Sequence, residues 1–120
     1  MLRPPRILQV FLSSKMNRSV LKEERVVARR AIEATEVSRC WNWEQYATAG
    51  SFPPMDLCLD EVRRSDLLVL VLGRDLTNNT RQEYNLATKL GIPRIVFVKE
   101  GQLLLLPKID SRLAYRLRCQ

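Results

Sequence analysis

The stretch DLLVLVLG, residues 66–73, contains an unbroken run of apolar side chains that ends on a glycine. Such a continuous run, unlike an alternating pattern, is typical of a strand buried on both faces of a parallel sheet. The segments RILQVFL (6–12) and RIVFVKE (94–100) have the same character, and EVSRCWNW (36–43) alternates like a weaker strand. Residues 66–73 therefore predict the central strand of an α/β sheet.

Helical patterns separate these strands along the chain. Residues 17–35 carry apolar side chains at helical spacing, with Asn17 or Ser19 as a candidate cap. Pro54 suits the first position of a second helix, and Gly91 supplies the left-handed stop of a third. The alternation βαβαβαβ predicts a parallel sheet with right-handed crossovers and helices on both faces.

The length of 120 residues suits one compact domain. We assign residues 1–100 to this α/β domain and residues 101–120 to a C-terminal extension. The extension contains the leucine run 103–106, which has to be buried against this domain or against a neighbour. A fifth short strand and a terminal helix are candidates there, as is a connection to a larger region of the protein.

Composition excludes several kinds of chemistry. Histidine is absent, which removes Ser-His and Cys-His nucleophiles and the usual partners of zinc. The cysteines Cys40, Cys58 and Cys119 show no metal-binding spacing, so we expect reduced thiols, no metal and no cofactor in a cytoplasmic protein. Apolar runs are too short to span a bilayer, so no membrane partner is expected. Catalysis would have to use carboxylates, hydroxyls or backbone groups.

The net charge of +7 favours an anionic partner, whether a nucleotide, a nucleic acid or an acidic protein surface. The basic residues are spread along the chain and are not interleaved with aromatic residues. We therefore rank nucleic acid last among these partners.

In an open doubly wound sheet, ligands bind beyond the carboxyl ends of the strands, where the strand order reverses. Three segments should meet there: SSKMN (13–17), WEQYA (43–47) and GRDLTNNT (73–80). Ser13, Ser14 and the helix start that follows them offer hydroxyl and amide groups to an anion, or are simply polar loop residues. GxGxxG and Walker sequences are absent from the chain, so neither usual mode of dinucleotide or P-loop binding is indicated.

Glu83 has two interpretations at this stage. With Thr80 it forms a Thr-x-x-Glu capping box, in which the Thr80 hydroxyl and the Glu83 carboxylate serve each other's backbone amides. The same position at a helix start would also present an anionic carboxylate at the mouth of the sheet, available as a nucleophile. Spacing does not separate the two interpretations.

Four short motifs, in order, carry a family likeness over roughly residues 6 to 100. The sequence resembles an uncharacterised domain often found at the N-terminus of STAND-type NTPases. That domain in turn resembles nucleoside deoxyribosyltransferases and, more remotely, TIR domains. The motif residues are Val10–Ser14, Glu24–Arg25, Ser65–Asp66, and Glu83–Tyr84 together with Ala87.

The resemblance implies a three-layer α/β fold of the flavodoxin, TIR and deoxyribosyltransferase kind, with four to five parallel strands. It implies that Glu83 is a catalytic carboxylate that attacks, or stabilises charge at, the anomeric carbon of an N-glycoside, by the retaining mechanism of glycosidases. Asp75 is the implied second catalytic residue, holding ribose hydroxyls or protonating the leaving base. Trp43 and Tyr46 are implied to stack on that base. The expected ligand-binding residues are Ser13, Ser14, Trp43, Tyr46 and Gly73.

Two functions follow as expectations. The first is a nucleotide- or nucleoside-binding signalling domain of a larger STAND-type protein, with or without N-glycosidase or NAD-cleaving activity. The second is a catalytically silent, TIR-like module for self-association, favoured by the leucine run and by the short loop 74–79. In purely structural terms, Glu24 and Arg25 would form a pair on the helix surface, and Ser65–Asp66 would end a helix.

Overall fold

The computed structural model describes residues 6–15, 17, 20–45 and 53–99, and the backbone of residues 114–117. The helices and strands alternate as the sequence predicts. In chain order they are β1 (Leu8–Ser13), α1 (Lys22–Glu33), β2 (Ser38–Trp41), a short 3-10 helix (Trp43–Gln45), α2 (Met55–Arg63), β3 (Leu67–Leu72), α3 (Asn78–Lys89), β4 (Arg94–Lys99) and β5 (Ala114–Leu117).

The strands form one parallel sheet with the order β2-β1-β3-β4-β5. This is the flavodoxin-like order, in which the chain reverses its direction of travel between β1 and β3. Helix α1 packs on one face, while α2 and α3 pack on the other. The predicted three-layer α/β fold is confirmed, including a fifth short strand within residues 101–120. The leucine run 103–106 and the predicted terminal helix lie outside the described residues.

Strand β3 is central because both of its faces are covered. Leu68, Leu70 and Leu72 belong to the core on the α2 and α3 side, and Val69 and Val71 belong to the core on the α1 side. All five side chains are at most 4% exposed. The continuous apolar run is thus explained by two cores that share one strand.

The helix ends show where local sequence rules hold. Gly91 has a φ of +72° just after α3, as a left-handed helix stop requires. Helix α1 begins later than predicted, at Lys22. The Asn17 side chain accepts a hydrogen bond from the amide of Val20 and so closes a turn before the helix. The N-cap residue is Leu21, which makes no side-chain cap bond, so Asn17 is not the cap and Ser19 lies outside the described residues.

Ser65 and Asp66 lie between α2 and β3 and form hydrogen bonds with the start of β1. The Ser65 hydroxyl donates to the backbone oxygen of Glu61 at 2.7 Å and lies 3.1 Å from the Gln9 amide nitrogen. The Asp66 carboxylate accepts the backbone N–H of Gln9 at 3.0 Å and pairs with Arg6. Their contacts support a structural role at the amino end of the sheet, far from the carboxyl edge. In the part of the chain that the structure describes, none of the helices has the length and apolarity needed to cross a membrane.

Candidate functional site

The side chain of Glu83 points from α3 to the carboxyl end of β1. One of its carboxyl oxygens accepts a hydrogen bond of 2.7 Å from the hydroxyl of Ser13, the last residue of β1. Both side chains are at most 2% exposed. The contact joins residues 70 positions apart and lies on the strand where the order of the sheet reverses.

The predicted Thr80–Glu83 capping box is wrong. Helix α3 starts at Asn78, and its N-cap is Thr77, whose side-chain oxygen accepts the amide of Thr80 at 3.4 Å. Thr80 is therefore inside the first turn, and its hydroxyl lies 3.0 Å from that of Thr77. Because the cap is supplied by Thr77, the Glu83 carboxyl is released from capping and reaches Ser13 instead.

Burial raises the pKa of Glu83 from 4.5 to about 7, and the hydrogen bond from Ser13 works in the opposite direction. Near neutral pH this carboxyl therefore exists in both protonation states. A general acid or base works best when its pKa lies near the working pH, and a nucleophilic carboxylate needs the ionised form. Cys58 shows the contrast: burial, with the charge of Glu83 adding to it, raises the pKa of its thiol to about 12. That thiol stays protonated and unreactive.

Ser13→Ala should raise the pKa of Glu83 above its value of about 7. The Ser13 hydroxyl stabilises the charged carboxylate, so its removal leaves only the effect of burial. A carbon-detected NMR titration of the Glu83 carboxyl measures this directly. The matched control is Ser14→Ala, since the Ser14 hydroxyl makes no hydrogen bond to Glu83 or to any other described residue. An unchanged midpoint in Ser13→Ala would contradict the hydrogen bond.

Ser14, the second predicted serine, is placed differently from Ser13. Successive side chains of an extended segment point to opposite faces, so the two hydroxyls diverge. Ser14 is 1% exposed, and its hydroxyl has no hydrogen-bond partner among the residues that the structure describes. Of the two serines, Ser13 is the one that contacts the candidate catalytic carboxyl.

Gly73 and Asp75 lie in the loop that follows β3. A Cβ atom on Gly73 would come within 3.1 Å of the Leu21 side chain, so this glycine allows the loop to pack against the turn before α1. Asp75 is half-exposed, and its carboxylate pairs with Lys15 at 3.2 Å. That ion pair links the loop after β3 to the loop after β1 at the carboxyl edge of the sheet. The structure places neither Gly73 nor Asp75 in a described contact with Glu83.

Trp43 follows β2 on the α2 and α3 side of the sheet and is 2% exposed. The guanidinium carbon of Arg25 lies 5.2 Å from the centre of its ring. Part of the ring surface that a base would stack on is thus covered by a cation. Tyr46, the other predicted stacking residue, lies outside the described residues.

Arg25 was predicted to lie on the surface of α1, but its side chain is buried. It is 2% exposed and pairs with Glu44, while its neighbour Glu24 pairs with Lys99 of β4 at 2.9 Å. A surface pair of Glu24 with Arg25 is therefore wrong. The signal was present in the spacing, since Arg25 lies four residues after Leu21 and three before Ala28, both on the buried face of α1.

The chain matches the family described as "Domain of unknown function (DUF4062)" over residues 9–113. It belongs to this family.

Two solved structures resemble the DUF4062 domain in fold. A conserved protein from Enterococcus faecalis V583 is 14% identical, with a TM-score of 0.66, and the match covers 85% of this chain and 70% of that one. The Clostridium botulinum CMP N-glycosidase BcmB is 16% identical, with a TM-score of 0.57, and the match covers 92% and 88% of the two chains. At such identities the likeness shows the fold alone. A search of curated proteins found no match.

The DUF4062 domain thus presents one enclosed carboxyl, held by a hydroxyl, at the reversal point of its sheet. The partly exposed pair of Lys15 and Asp75 lies at the outer edge of the same region. Within the described ranges, no group of three metal-ligating side chains is close enough to hold an ion. The chemistry that these side chains supply is that of a single carboxyl group, as acid, base or nucleophile.

Proposed function

We propose that this DUF4062 domain binds a nucleoside or nucleotide at the carboxyl edge of its sheet and cleaves the N-glycosidic bond with Glu83. The observation that carries the proposal is the buried Glu83 carboxyl, hydrogen bonded to Ser13 where the strand order reverses. Open α/β sheets bind ligands at this point. The shared fold with a CMP N-glycosidase supports the same class of substrate.

The proposed reaction proceeds in two steps, with retention at the anomeric carbon. The ionised Glu83 attacks that carbon while the C–N bond breaks, and the base leaves with the electron pair and takes a proton from water. Water then hydrolyses the glycosyl ester and restores the Glu83 carboxylate. Ser13 holds the attacking carboxylate in position through its 2.7 Å hydrogen bond.

Access to Glu83 requires local opening, because its side chain is only 2% exposed. The Lys15–Asp75 pair joins the two loops that flank the reversal point. A solvent-exposed ion pair contributes at most about 1 kcal/mol, so the binding energy of a ligand is sufficient to separate it. Once the pair is separated, the Asp75 carboxylate is free to accept hydrogen bonds from ribose hydroxyl groups.

The direct test is incubation of the native protein with CMP, with the four common ribonucleosides and with NAD, followed by chromatography of the released base. We expect release from at least one of these compounds, and tighter binding of that compound than of the free base. The absence of both release and binding across this panel would overturn the proposal.

A second candidate function is a catalytically silent module for self-association. Beside α1, an apolar cavity of about 730 Å³ lies over the sheet, lined by side chains that include Val27, Val69 and Phe97. Val27 is 64% exposed on this face. Sizing chromatography across a range of concentrations distinguishes the two functions. A protein that remains monomeric and binds a ribose-containing ligand would exclude this candidate, whereas dimers that Val27→Glu dissociates would favour it.

The wider biological setting is also part of the proposal. The order of motifs along the chain resembles domains at the N-terminus of STAND-type NTPases, which are signalling proteins. We infer that this domain acts as the sensor or effector part of such a protein, and that NAD cleavage or deoxyribosyl transfer are related reactions open to the same carboxylate. A comparison of base release by this domain with and without an added STAND-type NTPase would test this setting, and an unchanged rate would count against it.

A further inference from the structure

We propose that Arg25 is a positioning residue that fixes two walls of the candidate nucleotide site relative to each other. These walls are the turn at residues 20–21 before α1 and the 3-10 helix Trp43–Gln45 after β2. The inference rests on the proposed function, because it assigns a role in ligand binding to a side chain outside the catalytic pair Glu83 and Asp75.

The guanidinium of Arg25 contacts both walls at once. Its Nε donates to the carboxylate of Glu44 in the 3-10 helix, and its Nη1 donates to the backbone oxygen of Val20 in the turn before α1. Its central carbon lies over the ring of Trp43, 5.2 Å from the ring centre. A single side chain on α1 thus joins the connection that follows β1 to the segment that follows β2.

Only a guanidinium makes these three contacts together. Its donors are fixed in one plane and its faces stack on aromatic rings, whereas a lysine ammonium is a compact charge without a plane. An Arg-to-Lys change therefore keeps the charge opposite Glu44 and loses the geometry. This difference separates positioning from simple charge balance.

Burial of this cation is costly for stability. Arg25 is 2% exposed, and taking a charge out of water carries a large desolvation penalty, which an apolar side chain of similar size avoids. Removing one partner of an ion pair is destabilising when the other charge stays buried, but the Glu44 carboxylate is 36% exposed and remains solvated. Arg25→Met is therefore expected to fold, so that an effect on binding is measurable separately from stability.

We expect the loss of the Arg25 contacts to affect the site through the placement of Trp43 and of Ser13 and Ser14 at the end of β1. Trp43 anchors the segment after β2 in the core, since it is 2% exposed and has Arg25 over its ring, and Ser13 holds Glu83. Small displacements of such groups reduce binding and catalysis strongly, because the reacting groups must be held within a fraction of an ångström. Loss of the Arg25 link should therefore weaken nucleotide binding with little effect on the core.

The experiment measures the dissociation constant of CMP by calorimetry and amide hydrogen exchange of the ligand-free protein. The variants are Arg25→Met, Arg25→Lys and Glu44→Gln, with Arg30→Met and Arg30→Lys as matched controls at an exposed position of the same helix. We expect each Arg25 variant and Glu44→Gln to weaken CMP binding roughly tenfold or more. Exchange should accelerate at residues 20–21 and at residues 43–45 in the same variants, and the Arg30 variants should match the native protein.

Two outcomes overturn the positioning role: native CMP affinity in Arg25→Lys, or faster exchange in only one of the two segments. If the native protein itself does not bind CMP, the proposed function fails for this nucleotide. In that case the exchange data still test whether Arg25 couples residues 20–21 to residues 43–45. Acceleration of both segments supports the coupling, and unchanged exchange overturns it.

Discussion

Glu83→Gln is expected to reduce base release from the substrate by a factor of roughly 10³ or more, because the attacking carboxylate is replaced by a non-nucleophilic amide. The change preserves size, and the amide oxygen still accepts the hydrogen bond from Ser13. Single-turnover assays of base release with native and variant protein measure the effect. Binding of the substrate should change little, since the substitution removes chemistry and not shape.

The pH dependence gives the same prediction a second readout. Attack requires ionised Glu83, whose pKa is about 7, so kcat/KM should rise with pH and level off above that value. Glu33→Gln, which changes an exposed carboxylate at the end of α1, is the matched control and should retain native activity. Equal rates in Glu83→Gln and the native protein would remove Glu83 from the mechanism.

The second large effect concerns stability. Relative to Glu83→Gln, the native protein should lose about 3 kcal/mol of unfolding free energy as pH rises from 4.5 to about 7. The folded-state pKa is raised above that of the unfolded chain, so the folded protein keeps its proton where the unfolded chain releases it. Stability therefore falls as pH rises through this window and becomes constant above it. Glutamine carries no proton to release and removes this dependence.

Urea unfolding at several pH values between 4.5 and 8 measures the difference. Native protein and Glu83→Gln should have similar stability at the acid end, where Glu83 is neutral in the folded state and only half-ionised in the unfolded chain. At the alkaline end the variant should be the more stable one. The Glu33→Gln control should follow the native protein throughout, and parallel curves for native protein and Glu83→Gln would show that the carboxyl is solvated.

The sequence was sufficient to predict the architecture because burial acts on whole segments. The run in β3 is apolar at every position since two cores meet on it, and the alternation of strands and helices leaves few possible topologies. The helix stop at Gly91 is equally local, because a left-handed residue is needed there.

The details of the site were harder to predict from the sequence, because they depend on the packing of segments that are distant along the chain. Both Thr77 and Thr80 carry a hydroxyl able to cap α3, and a shift of the helix start by three residues decides whether Glu83 caps the helix or faces Ser13. Arg25 was misplaced for a related reason. Charge suggested the surface, whereas its spacing from the apolar residues of α1, together with the carboxylate of Glu44, places it inside.

The most direct test of the account is an NMR titration of the Glu83 carboxyl carbon in the native domain. The enclosed position beside Ser13 predicts a midpoint of about 7, with no second step near the ordinary value of 4.5. A midpoint near 4.5 would mean that the carboxyl lies in water, and it would contradict both the placement of Glu83 and the reaction built on it.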